Sequence, residues 1–220
     1  GASEVSIQQG NYQLVDMITQ LHVTPAANAR IVISPVGSLN LRVESNGSLV
    51  PEMTGSILML KQVDENETAL FRFNGKTYRG SVMLHNNNGS ISIINILDVE
   101  QYLYGVLPKE MGISTAPLEA LKAQAVVSRT YALKQKNAGA IYDLSATTSS
   151  QVYGGYSAEV SYATAAVDQT KGLVIYYNNE LINAYFSANA GGYTENAENV
   201  WNLPLGYAKA IASPYDAVVL

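Results

Sequence analysis

Glu110 is the side chain most readily given chemical work. It stands between Lys109 and Met111 in the run YLYGVLPKEMG, with Pro108 before it and Gly112 after it. That punctuation reads as a shaped connection rather than a helix interior. Catalytic groups often sit on such loops, held by a rigid scaffold. One carboxylic acid can act as a proton donor near neutral pH if partial burial keeps it protonated. The plain alternative is a solvated loop acid, the usual state of charged side chains.

The element that must position Glu110 follows it. Ala116-Pro117-Leu118-Glu119 puts Pro at a first helical position and an acid in the first turn, predicting a helix from about Pro117 to Lys136. At roughly 100° per residue, Leu118, Leu121, Ala125, Val126, Ala132 and Leu133 share one broad face. Lys122 and Arg129 lie on that face too, about 20–40° from Leu118 on the helical wheel. Two cations beside an apolar stripe either snorkel into solvent or face a site. Glu119 complements the helix dipole. Asp98 and Glu100 read as caps of the preceding turn, and Glu159 as a cap further on.

From Val5 to about Leu97 the chain reads as strand. The runs are Tyr12–Val15, Arg30–Ser34, Leu39–Glu44, Ile57–Val63, Ala69–Phe73, Tyr78–His85 and Ser90–Leu97. Asn46-Gly47, Asn74-Gly75 and Asn86–Gly89 supply hairpin turn chemistry. His22 and His85 have no acidic neighbours at a metal-ligand spacing and read as ordinary polar residues.

Composition narrows the classes. The 220 residues are 47% hydrophobic, enough for a sizeable core. A net charge of −5 argues against a nucleic-acid binder, which needs a basic footprint. There is no cysteine, hence no disulfide and no thiolate metal site; this suits an exported protein. No apolar run reaches the length of a membrane span, so no membrane anchor is expected in this chain. Fifteen tyrosines against three phenylalanines suit either a partly wet groove or a tyrosine-rich sheet surface.

Beyond the long helix, Asn137-Ala138-Gly139 is a helix stop. The stretch Thr147–Gly155 gathers hydroxyls, an amide and a tyrosine, groups that suit sugar hydroxyls and equally suit any turn-rich loop. Ala158–Thr170 reads as a helix, and Leu173–Tyr177 with Leu181–Phe186 as a hairpin around Asn178-Asn179. The hairpin feeds a turn with paired glycines, Ser187–Thr194.

Several blocks carry a family resemblance. They are YRG (Tyr78–Gly80), NILDVEQYL (Asn95–Leu103), YLYGVLPKEM, PLEALKAQAVVSRTYAL, SQVYGG (Ser150–Gly155), Thr170–Thr194 and SPYD (Ser213–Asp216). In this order they resemble the stage II sporulation protein D family, which includes the amidase-enhancer proteins. The resemblance covers about two-thirds of the chain; the segment before Tyr78 matches loosely. It implies lytic cleavage of peptidoglycan glycan strands, with Glu110 as the catalytic acid. Substrate contacts are then expected from Ser149, Gln151, Tyr153, Ser187, Asn189 and Gly191, while Lys122 and Arg129, which would lower the pKa of Glu110 if too close, are expected to order its loop or to bind the acidic lactyl or peptide portion of the substrate. Many relatives carry His where this chain has Ser187, and Ser or Cys where it has Ala190; some bind zinc through Cys and His. Without cysteine no such site is expected here, and no cofactor.

The expectations that follow are concrete. The fold is α+β: an antiparallel β-rich body with one long helix and several shorter ones around a substrate groove. Residues 1–76 form a β-rich N-terminal part and 77–220 the family core, or the two are one continuous domain. The activity is lytic transglycosylation between N-acetylmuramic acid and N-acetylglucosamine, with 1,6-anhydro ends and a single carboxylate. Most glycosidases need two; Glu195 and Glu198 are the candidates for a second. The alternative is a non-catalytic peptidoglycan-binding module that stimulates a cell-wall amidase. The protein is expected to be exported to the cell envelope, with any signal or anchor removed ahead of Gly1-Ala2-Ser3.

Overall fold

Two antiparallel sheets share one core in the N-terminal half. The computed structural model describes residues 1–112, 116–214 and 216. The strands are β1 (Ser3–Gln9), β2 (Tyr12–Asp16), β3 (His22–Val23), β4 (Arg30–Val36), β5 (Asn40–Ser45), β6 (Ser48–Leu49) and β7 (Ile57–Gln62). They continue with β8 (Leu70–Phe73), β9 (Lys76–Arg79), β10 (Ser81–Asn87) and β11 (Ser90–Ile96). One sheet has the order β6-β5-β4-β1-β8-β9 and the other β11-β10-β7-β2-β3. Alternation decides what faces inward. Val5 and Ile7, Ile31 and Ile33, Leu41 and Val43 meet Tyr12 and Leu14, Leu58 and Leu60, Val82 and Leu84 in a single apolar cluster. That cluster draws strands from both sides of residue 77.

The turns follow the sequence closely. Both residues of Asn46-Gly47, Asn74-Gly75 and Asn88-Gly89 take positive φ, as a tight hairpin requires. One expected strand is corrected. Tyr78–His85 is not continuous: Gly80, at φ +76°, breaks it so that β9 and β10 enter different sheets. A Cβ on Gly80 would lie 2.5 Å from the Ile96 carbonyl oxygen, so only glycine fits this corner.

Asp16 is the buried acid of this half. Its carboxylate accepts N–H bonds from Ile18, Thr19 and Gly55 at 2.8–3.1 Å. Burial alone would raise its pKa, but these backbone donors outweigh burial and hold it below the usual carboxylate value. A depressed folded-state pKa adds stability above the unfolded value of about 3.9, lost as pH falls through the folded value. Asp16→Asn is therefore expected to lower stability at neutral pH and to flatten its decline below about pH 4. Urea unfolding across pH 2–7 checks this; parallel pH profiles for the two proteins would contradict it.

The helical half packs separately. α1 (Val99–Glu110), α2 (Leu118–Lys134) and α3 (Ser161–Gln169) bury Leu103, Leu107, Leu121, Ala125, Ala163, Ala166 and Val167 against one another. A short hairpin, β12 (Tyr176–Tyr177) and β13 (Glu180–Leu181), and α4 (Ala197–Trp201) complete the chain. Asn178 and Asn179 both take positive φ at the hairpin turn. The fold is thus α+β, with α2 as its long helix. Among the described residues no helix is long and apolar enough to cross a membrane.

Candidate active site

Glu110 closes a helix; it does not stand in a loop. Asp98 caps α1 by accepting the Glu100 N–H at 2.8 Å. The helix runs through Pro108, and the Met111 N–H still reaches the Leu107 carbonyl at 3.2 Å. Pro108 removes one internal hydrogen bond, but Leu103, Val106 and Leu107 are fully buried and hold the last turns in place. The stretch 113–115 that follows lies outside the described residues.

Glu110 is half-buried, and Oε1 accepts the Val152 N–H at 2.7 Å. It has no ion-pair partner among the described residues. An acid at a helix C-terminus opposes the dipole, so helix stability does not explain this residue.

The segment that meets Glu110 is built inward. Gln151 is fully buried; it accepts the Tyr102 hydroxyl at 3.2 Å and donates to the Ser128 carbonyl at 3.4 Å. Tyr153 is buried too, its hydroxyl donating to Asn95 at 3.1 Å and its ring 5.2 Å from that of Tyr102. Gly154 N–H bonds the Gly105 carbonyl, and a Cβ on Gly105 would lie 2.6 Å from the Tyr153 ring. Gln151 and Tyr153 were expected to contact substrate. Their polar atoms are bonded inside the protein on either side of the Val152 N–H that reaches Glu110, while Tyr153 also lines a cleft. Tyr102, which had no assigned role, joins them. Burial pushes its hydroxyl well above the usual tyrosine range, and the Glu110 charge adds to the shift.

Arg129 requires the largest correction. It is completely buried and neither snorkels nor faces a ligand. Its guanidinium grips Glu100 through two bonds of 2.9 and 2.6 Å, and donates to the Val167 and Leu173 carbonyls. Glu100 also accepts the Gly172 N–H at 3.1 Å, so it is an ion-pair partner rather than a cap. The node binds α1, α2, the end of α3 and the turn after it. Glu159 is corrected likewise: it forms a two-bond pair with Arg79 at 2.6 and 2.8 Å, tying the sheet to the helical half.

Other expected contacts are at the surface. Lys122 pairs with Glu119 at 2.7 Å one turn earlier. Ser149 is exposed and shares hydrogen bonds with Ser145 and Thr147. Ser187, Asn189 and Gly191 are exposed; Asn189 accepts the Gly191 N–H at 2.6 Å, and the Ala190 N–H donates to Asp216. This turn thus bonds to the C-terminal segment, and no hydrogen bond among the described residues joins it to Glu110. Of the SPYD block, Tyr215 lies outside the described residues. Glu195 bonds the Asn196 N–H and the Asn199 amide, which lower its pKa, and Glu198 pairs with Lys209. Among the described residues no three His, Asp or Glu side chains come together to hold a metal.

The family model for stage II sporulation protein matches residues 87–177, which contain Glu110, its Val152 partner and the Arg129 node. That region belongs to the stage II sporulation protein D family. An amidase enhancer of Bacillus subtilis is 37% identical over 175 residues, 78% of this chain and 24% of that protein. Stage II sporulation protein D of the same organism is 33% identical over 142 residues, 57% of this chain and 41% of that protein. An uncharacterised protein of Brachyspira hyodysenteriae is 42% identical over 140 residues, 62% of this chain and 38% of that one. The chain therefore spans between about a quarter and two-fifths of the length of these relatives.

Proposed function

We propose that this chain acts on the bacterial cell wall, as a lytic transglycosylase whose acid is Glu110. The supporting observation is the placement of that carboxylate. It is half-buried, held by one main-chain N–H, and free of a cation among the described residues. In the reaction, Glu110 donates its proton to the glycosidic oxygen between N-acetylmuramic acid C1 and N-acetylglucosamine, and the C1–O bond breaks. The resulting carboxylate takes the proton of the muramyl 6-hydroxyl, whose oxygen closes onto C1. Atoms balance without water, so no second carboxylate is needed to activate one. Glycan strands are then the substrate, and the protein works outside the cytoplasm, in the cell envelope.

A second reading follows from the relative named amidase enhancer, which aligns with 78% of this chain. In it the chain binds peptidoglycan and stimulates a cell-wall amidase without cutting the strand. Incubating the purified chain alone with glycan strands separates the two. The lytic reading expects fragments whose ends are lighter than reducing ends by one water. Reducing ends would indicate hydrolysis instead, and binding without fragments would favour the enhancer.

A further inference from the structure

The four edges of the two sheets are not treated alike. β6 and β3 are two residues long. β9 carries Lys76 and Arg79, and its Thr77 N–H is already taken by the Ser157 hydroxyl at 2.9 Å. β11 is different: seven residues, Ser-Ile-Ser-Ile-Ile-Asn-Ile, with no charge, no proline and no shift in its register against β10. Proteins normally blunt such an edge with those devices, because its free backbone groups template another strand. Beyond its ladder with β10, β11 has no backbone–backbone hydrogen bond among the described residues. Alternate residues of an antiparallel strand direct N–H and C=O to the same side, so about half of β11 offers both to the open edge.

That edge faces a cleft of about 870 Å³, lined by six consecutive residues, Ser92–Leu97. The loop after α2 also lines it, with Ile141 and Tyr142 40% and 54% exposed, as do Tyr102 and Tyr153. Lys136 also lines the cleft and has no ion-pair partner among the described residues. Asp143 lines the cleft as well, and its Oδ1 accepts the Asn137 N–H at 2.8 Å. Glu110 and Val152 do not line this space.

We propose that the β11 edge is a docking site for an extended segment of a partner protein, added as a further strand. Its alternate apolar side chains lie in the cleft against Ile141 and Tyr142, and an acidic residue meets Lys136. Backbone pairing supplies affinity and the alternating pockets supply selectivity, as in other strand-addition complexes. The site stands whether or not Glu110 cuts glycan.

The test uses hydrogen exchange on the intact chain with a synthetic nonapeptide of alternating valine and threonine ending in aspartate. At saturation, exchange at the open-edge amides of Ser90–Ile96 is expected to slow by about tenfold or more. Two further peptides carry backbone N-methyl groups on odd or on even residues. In an added strand one set faces β11 and the other faces away, so one peptide fails and the other still binds. Replacing the aspartate by lysine weakens binding by about two- to fivefold, the range of an exposed ion pair, and Lys136→Ala removes that difference. Unchanged exchange with peptide overturns the proposal. So does equal binding of both N-methyl peptides, protection that rises with chain concentration alone, or protection by soluble glycan strands where the peptide gives none.

Discussion

If the proposed lytic reaction holds, Glu110→Gln is expected to lower release of anhydro-ended fragments at least about a hundredfold, the usual worth of a positioned acid, while the protein stays folded. The substitution isolates the proton because the amide oxygen still accepts the Val152 N–H that the carboxylate accepts at 2.7 Å. Glu110→Ala would leave that N–H without its partner and confuse loss of chemistry with loss of structure. Glu110 also lacks an ion pair among the described residues, so neutralising it strands no buried cation. The two measurements are mass analysis of fragment ends and thermal unfolding, the latter expected to shift by no more than about 0.5 kcal/mol. A fully active Gln variant would remove Glu110 as the acid.

Arg129→Met is expected to do the reverse, costing about 3–5 kcal/mol of stability because it leaves the Glu100 carboxylate buried without its counter-charge. For a chain of this size each kcal/mol moves the Tm by roughly 2–4 °C, so the fall should be plain in a thermal scan. Arg129→Lys should also destabilise, since an ammonium cannot reproduce the two-bond grip on Glu100 and the bonds to the Val167 and Leu173 carbonyls. Adding Glu100→Leu to Arg129→Met should recover only part of the loss, because Glu100 also accepts the Gly172 N–H. Loss of activity at unchanged Tm would instead mean that Arg129 meets substrate.

The pattern of strand, turn and helix was legible along the chain because its causes are local. Asn-Gly pairs relieve the strain of positive φ, and the helix that begins just after Pro117 carries its own start signal and apolar stripe. The resemblance likewise named Glu110 from its neighbours in the chain. Local signals could not say where a polar side chain points once the elements pack. Lys122 and Arg129 look equivalent on a helical wheel, yet one lies at the surface beside Glu119 and the other is sealed against Glu100. Gln151 and Tyr153 looked like ligand donors, but Tyr102, Ser128 and Asn95 take their hydrogen bonds. Those partners are 23 to 58 residues away. By itself the sequence determined most of the element types and pointed to the family. Only the tertiary structure decided which polar groups were left for a ligand, because hydrogen-bond capacity is spent first on neighbours that folding brings close, and chain spacing does not record them.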